Sequence, residues 1–156
     1  MKAISIRNLL AMTFVVVLLG SCSALKTAPY DQYSFQKAVE LKVEASNLMD
    51  KATTPFSEHE EEVEDLMLEL EKMVVYEQNK PNNGISYEMW KLMANKDKNL
   101  LTGLLQRWEE QGQLGQVFLS EAKSQVIEAI DMIILYEGKK DKETEGTLMQ
   151  YILQNN

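Results

Sequence analysis

The sequence predicts an all-α fold, an antiparallel bundle of about four amphipathic helices with a short extra C-terminal helix. Apolar residues recur at alternating intervals of three and four through most of residues 34–156, which is the period of one helix face. Short polar segments containing Pro, Asn, Gly or Lys separate these stretches, and no stretch alternates as a strand would. Helices with one apolar face bury it against each other, so a bundle is expected.

The first predicted helix begins near Ser34 and ends before "TTP" at residues 53–55. Its apolar face contains Ala38, Leu41, Ala45, Leu48 and Ala52. Ser57 and Glu60 then match a Ser-x-x-Glu capping box, which predicts the start of a second helix. The core face of that helix contains Val63, Leu66, Leu70 and Met73, flanked by Met67 and Val74. The segment "NKPNNG" at residues 79–84 ends it, because proline cannot continue a helix.

Ser86 is predicted to cap a third helical stretch that reaches Trp108 and that breaks or kinks near "NKD" at residues 95–97. A three-helix core with a long bent third helix is the nearest variant. The fourth helix is expected to be central, because its apolar stripe is the widest; it contains Phe118, Ala122, Val126, Ala129, Ile133 and Tyr136, with Ile127, Ile130 and Ile134 beside them. Gly138 is predicted to provide its left-handed C-terminal cap. Leu148, Met149, Ile152 and Leu153 are predicted to form a short last helix.

The first 21 residues have the layout of an export signal. Lys2 and Arg7 precede an uncharged, mostly apolar run over residues 9–19, which is too short to span a membrane. Residues 1–21 are therefore predicted to be removed, residues 22–33 to form a short N-terminal tether, and residues 34–156 to form a single helical domain.

The stretch Leu19-Gly20-Ser21-Cys22 resembles the lipobox of bacterial lipoproteins. The resemblance implies cleavage between Ser21 and Cys22, lipidation of the Cys22 thiol, and attachment to a bacterial membrane through the lipid. It covers only about the first 22 residues and implies nothing about the helical domain. Ser23 stands where an aspartate commonly retains Gram-negative lipoproteins at the inner membrane, so the resemblance favours the outer membrane, facing the periplasm.

The predicted mature chain is strongly acidic. Residues 1–21 hold two of the 16 basic residues and none of the 24 acidic ones, which leaves residues 22–156 with a formal charge of −10. This sign argues against binding nucleic acid or anionic lipid through a basic patch. The expected partners are the membrane, through lipidated Cys22, and an envelope protein.

The sequence offers no catalytic constellation. His59 is the only histidine, so a zinc site of the common types or a Ser-His-Asp triad is not expected, and it is interpreted as a surface residue in the first turn of a helix. Phe56 stands where a Glu-x-x-His motif for di-iron binding would need glutamate. No cofactor, metal or catalytic residue is predicted, and the protein is not expected to be an enzyme.

Trp90, Met93 and Trp108 are the best candidates for a ligand groove, if the bundle is open on one side. The first hypothesis is a non-enzymatic, lipid-anchored helical bundle that acts through protein contacts near its membrane. The alternative is a lipoprotein that binds or senses a small apolar ligand or haem. The third is an enzyme that acts on peptidoglycan through paired carboxylates.

Overall fold

The computed structural model describes residues 28–155, and within this range the chain is all-helical with no strands. The prediction of a helical bundle is confirmed. Six α-helices follow one another: α1 (Gln32–Asp50), α2 (Glu60–Gln78), α3 (Gly84–Met93), α4 (Leu101–Gln111), α5 (Gln116–Lys139) and α6 (Lys142–Asn155). A short 3-10 helix, Phe56–Glu58, precedes α2. No helix in the described range is both long and apolar enough to cross a bilayer.

Helix α1 begins at Gln32, two residues before the predicted start, because Asp31 caps it by accepting a hydrogen bond from the Tyr33 backbone N–H at 3.0 Å. The predicted capping box at Ser57 is wrong. Ser57 lies inside the 3-10 helix, and the residue before α2 is His59, whose side chain makes no capping bond. The Phe56 backbone N–H donates instead to the carbonyl of Gly112 at 2.7 Å, so a tertiary contact fixes this turn.

The predicted break in the third helical stretch is confirmed, since α3 ends at Met93 and α4 begins at Leu101. The intervening loop folds tightly onto α4: a Cβ on Gly103 would lie 1.8 Å from the carbonyl oxygen of Lys98. Only glycine allows this approach. Ser86 is not a cap but a buried residue within α3, whose helix starts after Asn83.

Helix α5 extends through Gly138 to Lys139, and its left-handed cap is Lys140 with φ of 49°. The prediction that Gly138 provides this cap is therefore wrong. A Cβ at Gly138 would lie 3.3 Å from the Phe35 ring, so the glycine accommodates close packing of α5 on α1. The predicted last helix is α6, in which Leu148 and Ile152 are buried whereas Met149 and Leu153 are exposed.

Five helices form a closed ring in the order α2, α1, α5, α6, α3, and α4 packs against the 3-10 helix. Ion pairs from Lys37 to Glu69 and from Lys42 to Asp131 join α1 to its two antiparallel neighbours. The core faces predicted for α1 and α2 are buried, as is the stripe of α5 from Val126 onward, while Phe118 and Ala122 are half-buried.

The bundle has two distinct ends. One end contains residues 28–34, 76–86 and 136–145, and we call it the entry end because residue 28 lies there. The far end comprises residues 50–63 and 93–116 and includes α4. Helix α1, with 19 residues, connects the two ends and is about 28 Å long at 1.5 Å per residue.

Candidate functional site

The predicted lipidation and cleavage residues, Cys22 and Ser21, lie outside the described residues 28–155. The whole predicted signal segment, residues 1–21, and the first part of the tether lie outside them too. Lipidation therefore stays a prediction from the sequence.

The structure places Trp90, Met93 and Trp108 in the core rather than in an open groove, since each is at most 1% exposed. The Trp108 indole N–H donates to the Thr54 carbonyl at 2.9 Å, and its ring packs edge-on against Phe56 at 5.5 Å. None of the three lines the surface depression described below. The two tryptophans act as large core aromatics, and the Met93 thioether fills space between side chains in the core, which is the common role of such residues at helical spacing.

His59 is engaged by its neighbours. One ring nitrogen lies 2.9 Å from the Thr54 hydroxyl and the other 2.8 Å from a Glu62 carboxylate oxygen, and the ring packs on Trp108 at 5.5 Å. Within residues 28–155, no group of three or more His, Cys, Asp or Glu side chains is arranged to hold a metal ion. His59 thus serves the packing of the turn before α2.

The most unusual feature of the interior is a buried polar cluster at the entry end. It joins four helices and contains Asp31, Ser34, Glu77, Lys80, Asn83, Ser86, Glu137 and Lys140. Glu77 and Glu137 are 1% and 0% exposed, so both carboxylates are enclosed by protein. Buried charges are tolerated when they are paired and hydrogen-bonded, and here each carboxylate has a lysine and a hydroxyl.

Glu77, from α2, occupies one half of the cluster. Its carboxylate accepts a 2.5 Å hydrogen bond from the Ser34 hydroxyl and another from the Asn83 amide. Lys80 lies 3.2 Å from both Glu77 and Asp31, and it donates to the Ser34 hydroxyl at 2.7 Å. Two carboxylates therefore share one ammonium group on this side.

Glu137, from α5, occupies the other half. It accepts a hydrogen bond from Lys140 at 2.7 Å and another from the Ser86 hydroxyl, and Lys80 lies 4.0 Å from its second oxygen. The Lys140 ammonium also lies 4.4 Å from the centre of the Tyr136 ring. Burial lowers the pKa of Lys140 from its ordinary value, and the hydrogen bond to Glu137 opposes that shift.

Two tyrosines at this end have altered acidity. Because Tyr76 donates to Asp31 at 2.7 Å, its pKa rises to about 12. Burial raises the pKa of Tyr136 to about 12 as well. Burial alone would raise the pKa of Asp31, but hydrogen bonds from Tyr76, Lys80 and the Tyr33 backbone N–H outweigh it and bring the pKa to about 2.

Sequence reasoning missed this cluster, although a signal was present. Glu77 follows Met73 by four residues and continues the core stripe of α2, and Glu137 follows Ile133 in the same way on α5. A carboxylate that continues the apolar stripe of a helix either becomes exposed because the helix end frays, or is buried together with groups that pair with its charge. Because its two buried carboxylates are each paired with a lysine and a hydroxyl in a closed interior, the cluster is suited to structure rather than to substrate binding.

The open candidate site is a surface groove between α2 and α4 at the far end. Two adjoining depressions share Val63, Met67 and Glu109. The apolar floor of this α2–α4 groove contains Phe56, Val63, Met67 and Leu105, and its rim carries Glu60, Glu64, Glu109, Glu110 and Lys96. The Thr102 hydroxyl donates to the Met67 sulfur at 3.6 Å and joins the two helices at the bottom.

The rim carboxylates differ from most acidic side chains that lie between helices. Where α1 meets α2 and α5, acidic residues such as Glu69 and Asp131 are neutralised by lysines. None of the four rim glutamates forms an ion pair within residues 28–155, and Glu110 accepts only a hydrogen bond from Gln106 at 2.8 Å. The groove therefore combines the half-buried side chains of Phe56 and Met67, above buried Val63 and Leu105, with four carboxylates that form no ion pair.

Comparison of the chain with protein-family models, with curated proteins and with solved structures finds no match. The function is therefore inferred from the chemistry of the residues, chiefly the α2–α4 groove and the N-terminal motif.

Proposed function

We propose that this protein is a lipid-anchored component of the bacterial cell envelope whose helical bundle is non-enzymatic and binds a protein partner near the membrane. The observation that carries the proposal is the lipobox at residues 19–22, followed within ten residues by the start of α1 at Gln32. The short connection would keep the bundle beside its membrane. Ser23, rather than aspartate, supports the outer membrane and the periplasmic face.

The α2–α4 groove supplies the surface for the protein contact. Its half-buried Phe56 and Met67 side chains suit apolar anchors spaced along one face of a helix. Its unpaired rim glutamates favour lysines or arginines beside those anchors, because complementary charge steers association and fixes orientation. The partner segment is thus an amphipathic helix with a basic border.

The buried polar cluster supports a non-enzymatic role. A peptidoglycan hydrolase of the usual kind needs two carboxylates that face a sugar, one of them with a raised pKa. Glu77 and Glu137, the two buried carboxylates among the described residues, face lysines and hydroxyls inside the protein. The burial of Trp90 and Met93 likewise favours a protein contact over the apolar-ligand or haem alternative.

Metabolic labelling with palmitate tests the anchor. Wild-type protein is expected to incorporate label and to sediment with membranes, whereas Cys22→Ala removes the acceptor thiol and both properties. Ser23→Ala, which keeps Cys22, is the matched control and should behave as wild type. Label in Cys22→Ala would overturn the lipobox assignment.

Site-specific photo-cross-linking in cells tests the groove. A photoreactive residue replaces Gln106 at the rim or, as the control, exposed Glu128 on α5. A discrete adduct is expected only from position 106, its partner peptide should be amphipathic and basic, and Glu60→Gln with Glu109→Gln should weaken it. Identical adducts from both positions, or an adduct indifferent to the rim charges, would contradict a role for the groove.

A further inference from the structure

The exposed tyrosines of this protein all lie at the entry end. Of the six tyrosines in the chain, the three that are exposed are Tyr30, Tyr33 and Tyr76, at 55%, 43% and 36%. Tyr33 at the start of α1 packs on Tyr76 near the end of α2, with ring centroids 4.6 Å apart, and Tyr30 lies 6.3 Å from Phe35. We call Tyr30, Tyr33 and Tyr76 the tyrosine face.

The length of chain before the described residues limits how far this face lies from the anchor. Cys22 and Ala28 are separated by six Cα–Cα steps, which span about 20 Å when fully extended. The headgroup region on each side of a bilayer is itself roughly 5–8 Å thick. A bundle held by a lipid on Cys22 therefore has its entry end within reach of the headgroups.

The chemistry of the face suits a bilayer interface rather than an anionic surface. Tyrosine combines an apolar ring with a polar hydroxyl and is enriched where hydrocarbon meets water. The charged groups beside the rings, Asp31 and Lys80, form an ion pair at 3.2 Å, and Lys80 is shared with buried Glu77, so the face has no excess positive charge to attract anionic lipid. Attachment here is expected to depend on the rings and to change little with anionic lipid or salt.

We propose that the tyrosine face rests in the headgroup region of the membrane that carries the lipid on Cys22. This inference depends on the lipidation proposed above. In this orientation the bundle stands on its entry end, α1 points away from the membrane, and the α2–α4 groove opens at a height of about 28 Å, set by the 19 residues of α1.

Quenching of a fluorophore by headgroup-labelled lipids tests the orientation. Lipidated full-length protein is reconstituted into phosphatidylcholine vesicles that contain a nitroxide-headgroup lipid. Gln32→Cys at the entry end or Gln113→Cys at the far end carries an environment-sensitive dye, because the lipidated Cys22 thiol is blocked. The dye at position 32 is expected to be quenched roughly twofold more strongly than that at 113, with the same result at 30% phosphatidylglycerol.

Two variants connect that difference to the rings. Tyr30→Ser with Tyr33→Ser should lower quenching at position 32 toward that at 113. The matched control, Val117→Ser with Leu153→Ser, changes two exposed apolar residues elsewhere and should leave quenching unchanged. Circular dichroism checks that both variants keep their helix content.

Vesicle flotation and palmitate labelling separate this inference from the proposed function. Protein that carries the lipid and floats with the vesicles, yet is quenched equally at both positions, would overturn the tyrosine-face orientation and leave the anchor intact. Quenching unaffected by the tyrosine substitutions would also overturn it. Protein that carries no lipid would overturn the anchor and this orientation with it.

Discussion

Removing the ammonium group of Lys140 tests the buried polar cluster most directly. The Lys140 side chain is only 5% exposed, and its ammonium group donates a hydrogen bond to fully buried Glu137 at 2.7 Å. In Lys140→Met the methionine fills most of the same space, and Glu137 keeps only the Ser86 hydroxyl and Lys80 at 4.0 Å. The variant therefore leaves a buried carboxylate without its main partner.

The expected loss is large. Breaking a buried ion pair from one side costs about 3–5 kcal/mol, and the remaining Lys80 contact favours the low end, about 3 kcal/mol. Replacing both members, Lys140→Met with Glu137→Leu, removes the uncompensated charge. The double variant is expected to be more stable than the sum of the single effects predicts, with a coupling of about 2 kcal/mol.

Equilibrium urea unfolding followed by circular dichroism measures these differences. A loss of about 3 kcal/mol lowers the midpoint by about 1.5 M urea when the slope is about 2 kcal/mol per molar. Lys91→Met is the control, because Lys91 pairs with Glu88 on the exposed surface of α3 and its loss should leave the midpoint nearly unchanged. A Lys140 effect as small as the Lys91 effect, or additive single effects, would refute the reasoning.

Three further substitutions test other parts of the fold through the midpoint of unfolding. Gly103→Ala is expected to cost about 1–3 kcal/mol, because its Cβ would lie 1.8 Å from a loop carbonyl oxygen, whereas Gly84→Ala, with no atom within 4 Å, should be neutral or mildly stabilising; equal effects would contradict the close approach. Trp108→Phe removes a buried donor and should cost about 2 kcal/mol in the same assay, and an unchanged midpoint would show that its hydrogen bond is dispensable. The pKa of Asp31 is about 2 in the folded protein against 3.8 for the free group, so the stability that its carboxylate contributes is lost as the pH falls from about 4 to about 2. Asp31→Asn should therefore make the free energy of unfolding depend less on pH in this range. An unchanged pH dependence would contradict the lowered pKa of Asp31.

Much of the fold follows from periodicity in the sequence. The spacing of three and four identifies the faces of α1, α2 and α5 because one side of each helix must leave water, whatever its partner. The polar stretch at residues 95–97 predicts the break between α3 and α4 because it offers no apolar side chain to the core.

The features that sequence reasoning mispredicted depend on contacts between distant segments. Ser57 matches a cap locally, but the bond from Phe56 to the Gly112 carbonyl holds the turn in another conformation. Ser86 matches a cap too, yet its hydroxyl donates to Glu137, 51 residues away. An apolar spacing also cannot distinguish a core residue such as Trp90 from one lining a groove, because both occupy the same helix face.

The α2–α4 groove was missed for a related reason. Glu60 and Glu64 lie near the start of α2, and Glu109 follows Glu64 by 45 residues in the chain. Their relation to one apolar floor depends on how α4 packs against the 3-10 helix. That packing is set by Trp108 and Phe56, and no local pattern encodes it.

The buried polar cluster also fixes the register of the bundle. Leucine, isoleucine and methionine side chains fill much of the core, and such side chains can exchange places with modest loss when a helix slips by one turn, about 5.4 Å. A slip of α2 or α5 would instead carry Glu77 or Glu137 away from its lysine and leave a charge stranded among apolar neighbours. The cluster thus raises the free energy of alternative alignments of the four helices. It selects one register along the helix axes in a core that hydrophobic contacts alone would align less specifically.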